Sequence, residues 1–295
     1  MGELKLWREK YRIGNEKIDE QHKELFRRVE QLLTITLTGN EAENKKECLE
    51  ILDFLISYTV YHFESEEALQ KEMGYVSYLE HVRIHEEFKK TIFDYKERVE
   101  KNFSKETLKH LTGTLMTWLT VHVCDCDKKI TKNELISEDM SFENEEDVIR
   151  RATVQLLSST YGVAINRASS SMYNGCIEGK VIVRTIINIQ KNHVFLFGFS
   201  EGIARELYNR ISGMEIGSMD ELNSIESSAL IELGDILASH ALAYIDKGKK
   251  DITYEWRGDI FLNEYSDTCI DINNSILLTF DTDYGKLEVM YCIAG

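Results

Sequence analysis

Seven residues in the first 127 have the types and spacing of metal ligands: His22, His62, Glu66, His81, His85, His122 and Asp127. His62 and Glu66 form H-x-x-x-E, and His81 and His85 form H-x-x-x-H. A separation of four puts two side chains one turn apart on one helix face. Imidazole with carboxylate suits iron, zinc, copper or manganese. Zinc takes three or four ligands, and structural zinc favours cysteine. Five imidazoles and two carboxylates exceed what one ion can use, but they suit two irons bridged by the carboxylates, as in di-iron helical bundles. Either motif alone would carry little, because ordinary histidine pairs at this spacing are common. The reading rests on the whole set, with every histidine on an apolar stripe.

Hydrophobic periodicity gives the helices that must position these residues. Trp7, Tyr11 and Ile13-Gly14-Asn15 look like an arm packed across a bundle. A first helix carries Ile18, His22, Leu25, Phe26, Val29 and Leu33 and ends at Gly39-Asn40. A second runs from about 43 to 73 with Ile51, Leu55, Tyr58, His62, Glu66, Leu69 and Met73 in line, and Gly74 stops it. A third runs from about 77 to 102 with Tyr78, His81, His85, Phe88, Ile92 and Val99 on one face. Ser104 is an N-cap for a fourth, whose stripe is Leu108, Leu111, Leu115, Trp118, Leu119 and His122. Four such helices with short turns predict an up-down-up-down four-helix bundle. Seven polar side chains then converge in its core, where burial without partners costs several kcal/mol each and a metal cluster removes the cost. Asp127 follows His122 by five residues, which in an ideal α-helix is about 140° off-face. The helix is therefore expected to end or bulge there.

The chain of 295 residues is long enough for two domains, and its 43% hydrophobic and 29% charged residues fit a soluble globular protein. No apolar run reaches the roughly 18 residues that span a bilayer. The N-terminus has neither a secretory h-region nor a myristoylation signal, so a cytoplasmic location is expected. A net charge of −16 repels phosphate backbones and argues against a nucleic-acid partner. Six cysteines, at 48, 124, 126, 176, 269 and 292, are not a disulfide framework in such a chain. Cys124 and Cys126 are either two half-buried helix-end thiols or a redox pair. Proline is absent, so nothing interrupts long helices. His110, about 120° around its helix from His122, should face away from the metal. His193 opens a strand, and His240 is read as a packing or capping residue.

An acidic segment, 131–146, separates a first domain (1–130) from a second (147–295). The second begins with a helix at about 145–161. Two apolar strands follow, within 178–189 and 192–200, separated by Gln190-Lys191. Helices at 201–211 and 220–245, closed by Gly213 and Gly248, precede three strands; Asp283-Tyr284-Gly285 turns between the last two. This is an α+β domain with a mainly antiparallel sheet and helices on one face. On its long helix Leu230, Leu233, Leu237, Ala241 and Tyr244 form the buried stripe. Glu232, Asp235 and Ser239 lie opposite, which on physics alone is a solvated acidic face.

Residues 7–130 resemble a bacterial hemerythrin domain. The resemblance lies in Trp7, Tyr11, IGN before Ile18-Asp19, QH at 21–22, HFESE at 62–66, HVRIH at 81–85 and HVCDCD at 122–127. It implies that His22 and His62 bind one iron and that His81, His85 and His122 bind the other. Glu66 and Asp127 then bridge the pair together with an oxo or hydroxo group. The first iron keeps an open position for dioxygen.

Residues 145–293 are similar to the CheX/CheC group of chemotaxis phosphatases, which dephosphorylate a response regulator. The likeness rests on the order of elements and on LIELGDI at 230–236. The family signature is Glu-x-x-Asn, in which the Glu holds the regulator's lysine and the Asn orients the attacking water. Glu232 matches it; Asp235 stands where the Asn belongs. An amide both donates and accepts, whereas a carboxylate only accepts and repels phosphoryl oxygens. That change counts against phosphatase chemistry and leaves regulator binding or homodimer formation. Together the resemblances imply a di-iron oxygen or redox sensor coupled to a chemotaxis output domain. The rivals are an oxygen store carrying an inactive dimerisation module, a phosphatase that tolerates Asp235, and a peroxidase-like di-iron site.

Overall fold

Helix α1 (Glu16–Thr38), α2 (Glu41–Met73), α3 (Tyr78–Lys101) and α4 (Lys105–Val121) form a ring in which each packs on its neighbours and α4 closes on α1. The computed structural model describes residues 6–38, 40–132, 144–189, 191–245, 255–263, 265 and 275–294. Contacts divide the chain into two compact units, 1–139 and 140–295.

The helix ends of the first unit follow local chemistry. Asn40 Oδ1 accepts the backbone N–H of Glu43 at 3.1 Å, and Ser104 Oγ accepts that of Thr107 at 3.0 Å. Each satisfies a first-turn donor that has no helical partner. Gly74 ends α2 in the left-handed region (φ 62°), and Tyr75 N–H reaches back to the Gln70 carbonyl at 2.8 Å. A residue without Cβ takes that conformation at least cost. The N-terminal arm is tied down by Asp19, whose carboxylate accepts the N–H groups of Ile13 (2.8 Å) and Gly14 (3.3 Å). Tyr11 stacks on Phe26 with ring centroids 5.3 Å apart. Leu32, Leu33, Leu52, Ile92, Leu108 and Leu111 are fully buried between the helices.

Beyond Val121 the chain winds as a π-helix over His122–Asp127 and returns to α-helix in α5 (Lys128–Lys132). Of the two outcomes left open by the five-residue spacing, an end or a bulge, the chain takes the bulge. A π turn pairs residues five apart, so Asp127 comes round beneath His122.

The second unit contains α6 (Glu145–Gln155), a π turn at Leu156–Thr160, β1 (Ile165–Met172), β2 (Val181–Ile189), β3 (Lys191–Phe199), α7 (Glu201–Ser212), α8 (Ser224–Ile245), β4 (Glu255–Leu262), β5 (Ile276–Thr282) and β6 (Gly285–Ala294). The strands form one six-stranded antiparallel sheet in the order β1-β5-β6-β3-β2-β4. Helices α6, α7 and α8 pack on the sheet and on each other, giving a two-layer α+β unit. Both faces of the central strands are buried, with Phe195, Phe197 and Phe199 on one and Val194, Leu196 and Met290 on the other. That explains why β3 reads as a continuous apolar run. Gly234 lets α8 lie close to the sheet: a Cβ there would stand 2.7 Å from Val183 Cγ1 and 3.2 Å from Phe197 Cδ2.

Strand β1 is absent from the expectation. Its sequence, INRASSSM, is largely exposed at the sheet edge. Gly39, Gln190, Gly248, Cys269, 251–254 at the start of the expected strand and 133–143 of the acidic segment lie outside the described residues. No helix among the described residues is long and apolar enough to cross a membrane.

Candidate metal centre

Three bundle helices bring candidate ligands into the core: α1 gives His22, α2 gives His62 and Glu66, and α3 gives His81 and His85. The π segment gives His122 and Asp127. All seven are between 0 and 3% exposed. They fall into two groups that share Glu66, namely His22, His62 and Glu66, and Glu66, His81, His85 and His122.

Asp127 spans the same two groups. Its Oδ2 is 3.1 Å from His22 Nε2, and its Oδ1 is 3.0 Å from His122 Nε2 and 3.2 Å from His81 Nε2. Glu66 does likewise: Oε2 is 3.4 Å from His62 Nε2, and Oε1 is 2.9 Å from His81 Nε2. His85 Nε2 and His122 Nε2 are 3.2 Å apart. Metal bonds of about 2.1 Å set at right angles leave donor atoms about 3 Å apart.

The donor atoms are close but poorly aligned for hydrogen bonding. His22 Nε2, His81 Nε2, Glu66 Oε2 and both Asp127 oxygens are buried without a properly formed hydrogen bond. Buried polar atoms left so are costly and need an explanation. A bound cation would supply it, and a donor set of imidazoles and carboxylates fits such a metal site.

Burial lowers His62 and His122, each to about 3, with neighbouring histidines acting in the same direction. Burial would lower His81 too, but the Glu66 and Asp127 carboxylates outweigh it and push His81 up to about 10. For Glu66, burial and the Asp127 charge act upward, yet His81 and His85 hold it down at about 2. Asp127 is held well below its usual range against burial by His122, His22 and His81. The pocket thus keeps two carboxylates ionised beside neutral His62 and His122.

A second layer orients these ligands. Gln21 Oε1 lies 3.1 Å from His62 Nδ1, Glu67 Oε1 lies 3.1 Å from His85 Nδ1, and Gln70 Nε2 donates to Glu66 Oε1 at 2.8 Å. The Phe63 ring stacks on His85 (3.7 Å, 7°), and Trp118 stacks on His122 (4.2 Å, 17°) and on Phe88 (3.5 Å, 10°). Sequence reasoning gave Glu67 and Gln70 no role. Gln70 was open to it, since it follows Glu66 by four residues on α2.

The other residues singled out in the sequence behave differently. His110 has a side chain 45% exposed and lies outside both ligand groups. His193 is buried on β3, with Nδ1 3.0 Å from the Tyr291 hydroxyl. His240 is half-buried on α8. Cys124 and Cys126 are free thiols, fully rather than half-buried. Burial pushes Cys124 up to about 12 and Cys126 well above the thiol range, which is inert chemistry.

In the second unit, Leu230, Leu233, Leu237 and Ala241 form the buried stripe of α8; the Tyr244 side chain lies outside the described residues. The opposite face is not solvated. Glu232, Asp235 and Ser239 are all half-buried. Asp235 Oδ1 accepts the Thr185 hydroxyl of β2 at 2.7 Å, and Gly258 of β4 approaches the same carboxylate. Helix α8 crosses β2 and β4, so this edge of it meets strand rather than water. Burial and the Asp235 charge push Glu232 up to about 8. Burial, together with Asp259 and against Thr185, pushes Asp235 up to about 7.

The hemerythrin HHE cation binding domain family matches residues 13–132. Bacteriohemerythrin of Stenotrophomonas maltophilia (strain R551-3) is 30% identical over 120 residues, covering 41% of this chain and 74% of that protein. Among solved structures, the chemotaxis protein CheX of Desulfovibrio desulfuricans covers 50% of this chain and 98% of its own, at 17% identity and a TM-score of 0.41. The CheX-CheY-BeF3-Mg complex of Borrelia burgdorferi supplies a chain matching 52% of this one over 99% of its own length, at 14% identity and a TM-score of 0.43.

Proposed function

This chain belongs to the hemerythrin family through its first unit, and from that premise we propose that it is a cytoplasmic di-iron sensor of oxygen or redox state. The observation that carries the reading is the division of labour in the two carboxylates. Each of Glu66 and Asp127 presents one oxygen to the His22 and His62 side and the other to the His81, His85 and His122 side. In this reading His22 and His62 would hold one iron, His81, His85 and His122 would hold the other, and Glu66 and Asp127 would serve both. Bound iron would supply one-electron redox chemistry and a place for dioxygen. The chain supplies the rest. The carboxylates stay ionised to balance the cations, Gln21 and Glu67 fix two of the rings, and Phe63, Phe88 and Trp118 keep water from the His85 and His122 side.

The second unit is proposed as the output. The run at 230–236 supports recognition of a phosphorylated response regulator. The turn of Asp235 towards Thr185 supports binding or homodimer formation rather than hydrolysis, because Asp235 is occupied within the fold and lacks an amide donor.

The deciding experiment holds purified protein diferric, diferrous and oxygen-exposed, and follows decay and binding of the host's phosphorylated chemotaxis regulators in each state. State-dependent binding with unchanged decay is the expected result. Faster decay that depends on Glu232 would make this an oxygen-gated phosphatase. No state dependence in either measurement would leave oxygen storage.

A further inference from the structure

The five histidines do not have equal support behind them. A histidine that binds metal through Nε2 carries its proton on Nδ1, and the acceptor of that proton sets the orientation and basicity of the ring. His62 Nδ1 faces the neutral amide oxygen of Gln21 at 3.1 Å. His85 Nδ1 faces the carboxylate of Glu67, also at 3.1 Å. The Nδ1 atoms of His22, His81 and His122 have no hydrogen-bond partner among the described residues. A full negative charge therefore stands behind one ligand only, on the three-histidine side.

Glu66 and Glu67 are consecutive on α2, so their side chains leave the helix about 100° apart. Glu66 enters the pocket, and Glu67 reaches the outer side of the His85 ring on α3. Its side chain is 19% exposed, so the charge is only partly screened by solvent. Lys71 and Lys89 stand near enough to offset part of it. The ring has a second restraint: Phe63 stacks on it at 3.7 Å, nearly parallel. Orientation is thus held twice, and charge is what Glu67 alone contributes.

We propose that Glu67 is a positioning and tuning residue that strengthens donation from His85. It thereby biases the three-histidine half of the centre towards the higher oxidation state, relative to the half held by His22 and His62. The inference rests on the metal-centre reading above and extends it to an asymmetry between the two ions.

The test compares wild type with Glu67→Gln, which keeps an acceptor and removes the charge, and with Gln21→Glu, which adds a charge behind His62. Iron(II) affinity is measured by competition against a chelator, and the midpoint potentials by spectroelectrochemistry. Glu67→Gln should bind iron roughly tenfold more weakly and raise one of the two potentials, leaving the other near its wild-type value. Gln21→Glu should lower the potential of the other half. Unchanged affinity and potentials in both variants would overturn the inference. Should Glu67→Gln fail to fold, a lowered potential in Gln21→Glu supports it and an unmoved one overturns it. Wild-type protein that takes up no iron sinks the metal-centre reading and this inference together, an outcome distinct from the others.

Discussion

In the helical unit Glu66 and Asp127 are fully buried, yet both are held ionised. In the mixed unit burial does raise Glu232 and Asp235, to about 8 and 7. Burial alone therefore does not decide the charge state. The first pair is ringed by imidazoles that can share a proton or a cation with it. The second has a hydroxyl, Thr185, and another acid for company. Buried carboxylates with counter-charge are built to hold something positive, whereas those without it trend towards neutral acids.

The largest effect is expected at Asp127, the carboxylate whose two oxygens face both histidine groups. On the di-iron reading, Asp127→Ala should lower iron content from two per chain to one or fewer, read by metal analysis of anaerobically loaded protein; content equal to wild type would refute the bridging role. Gly234→Ala comes next. Its new Cβ presses on Val183 and Phe197 and pushes α8 off the sheet, costing about 1–3 kcal/mol of stability in the second unit by urea denaturation. The same displacement should rehydrate Glu232 and Asp235 and return them towards ordinary values.

The two pairs also give opposite pH slopes. Glu232 and Asp235 bind protons more tightly in the folded unit than in the unfolded chain. Their contribution is fully present below the unfolded pKa of about 4 and is lost as pH rises towards 7 and 8. Glu66 and Asp127 are depressed, so theirs is present above the unfolded pKa and is lost as pH falls towards 2. Melts followed separately for the two units at pH 5.5 and 8.5 should show the mixed unit less stable at the higher pH. Glu232→Gln should flatten that slope, and an unaltered slope would show that the pair stays hydrated. The smallest effect is Gly74→Ala, about 1 kcal/mol in the helical unit, from forcing a Cβ into the left-handed region.

How far each unit was legible in the sequence follows the same division. Ligand spacing on helices is rigid, so His62 with Glu66 and His81 with His85 could be placed on faces directly. The mismatch of five between His122 and Asp127 called for an end or a bulge, which the π turn provides. Gln21, Glu67 and Gln70 gain their meaning only from which ring or carboxylate they reach, which spacing along one helix does not disclose. In the mixed unit, β3 and β6 were visible as apolar runs. Strand β1 was not, because an edge strand of serines and other polar residues has no buried face to mark it. The acidic edge of α8 reads as solvated in the sequence because a helix wheel gives the composition of each face and not what packs against it. It cannot show that β4 and Thr185 lie against the second face.

The π segment also sets the phase of everything after it. One residue more than an α-helix needs is wound into 122–127, so α5 leaves it rotated by about 100° from the continuation of α4. Asp127 and the fully buried Ile130 both depend on that rotation. Winding and chain length between His122 and α5 are thus matched to each other: the same residues wound as plain α-helix would turn the carboxylate and the apolar anchor off the core together, whereas a chain one residue shorter would need no π turn.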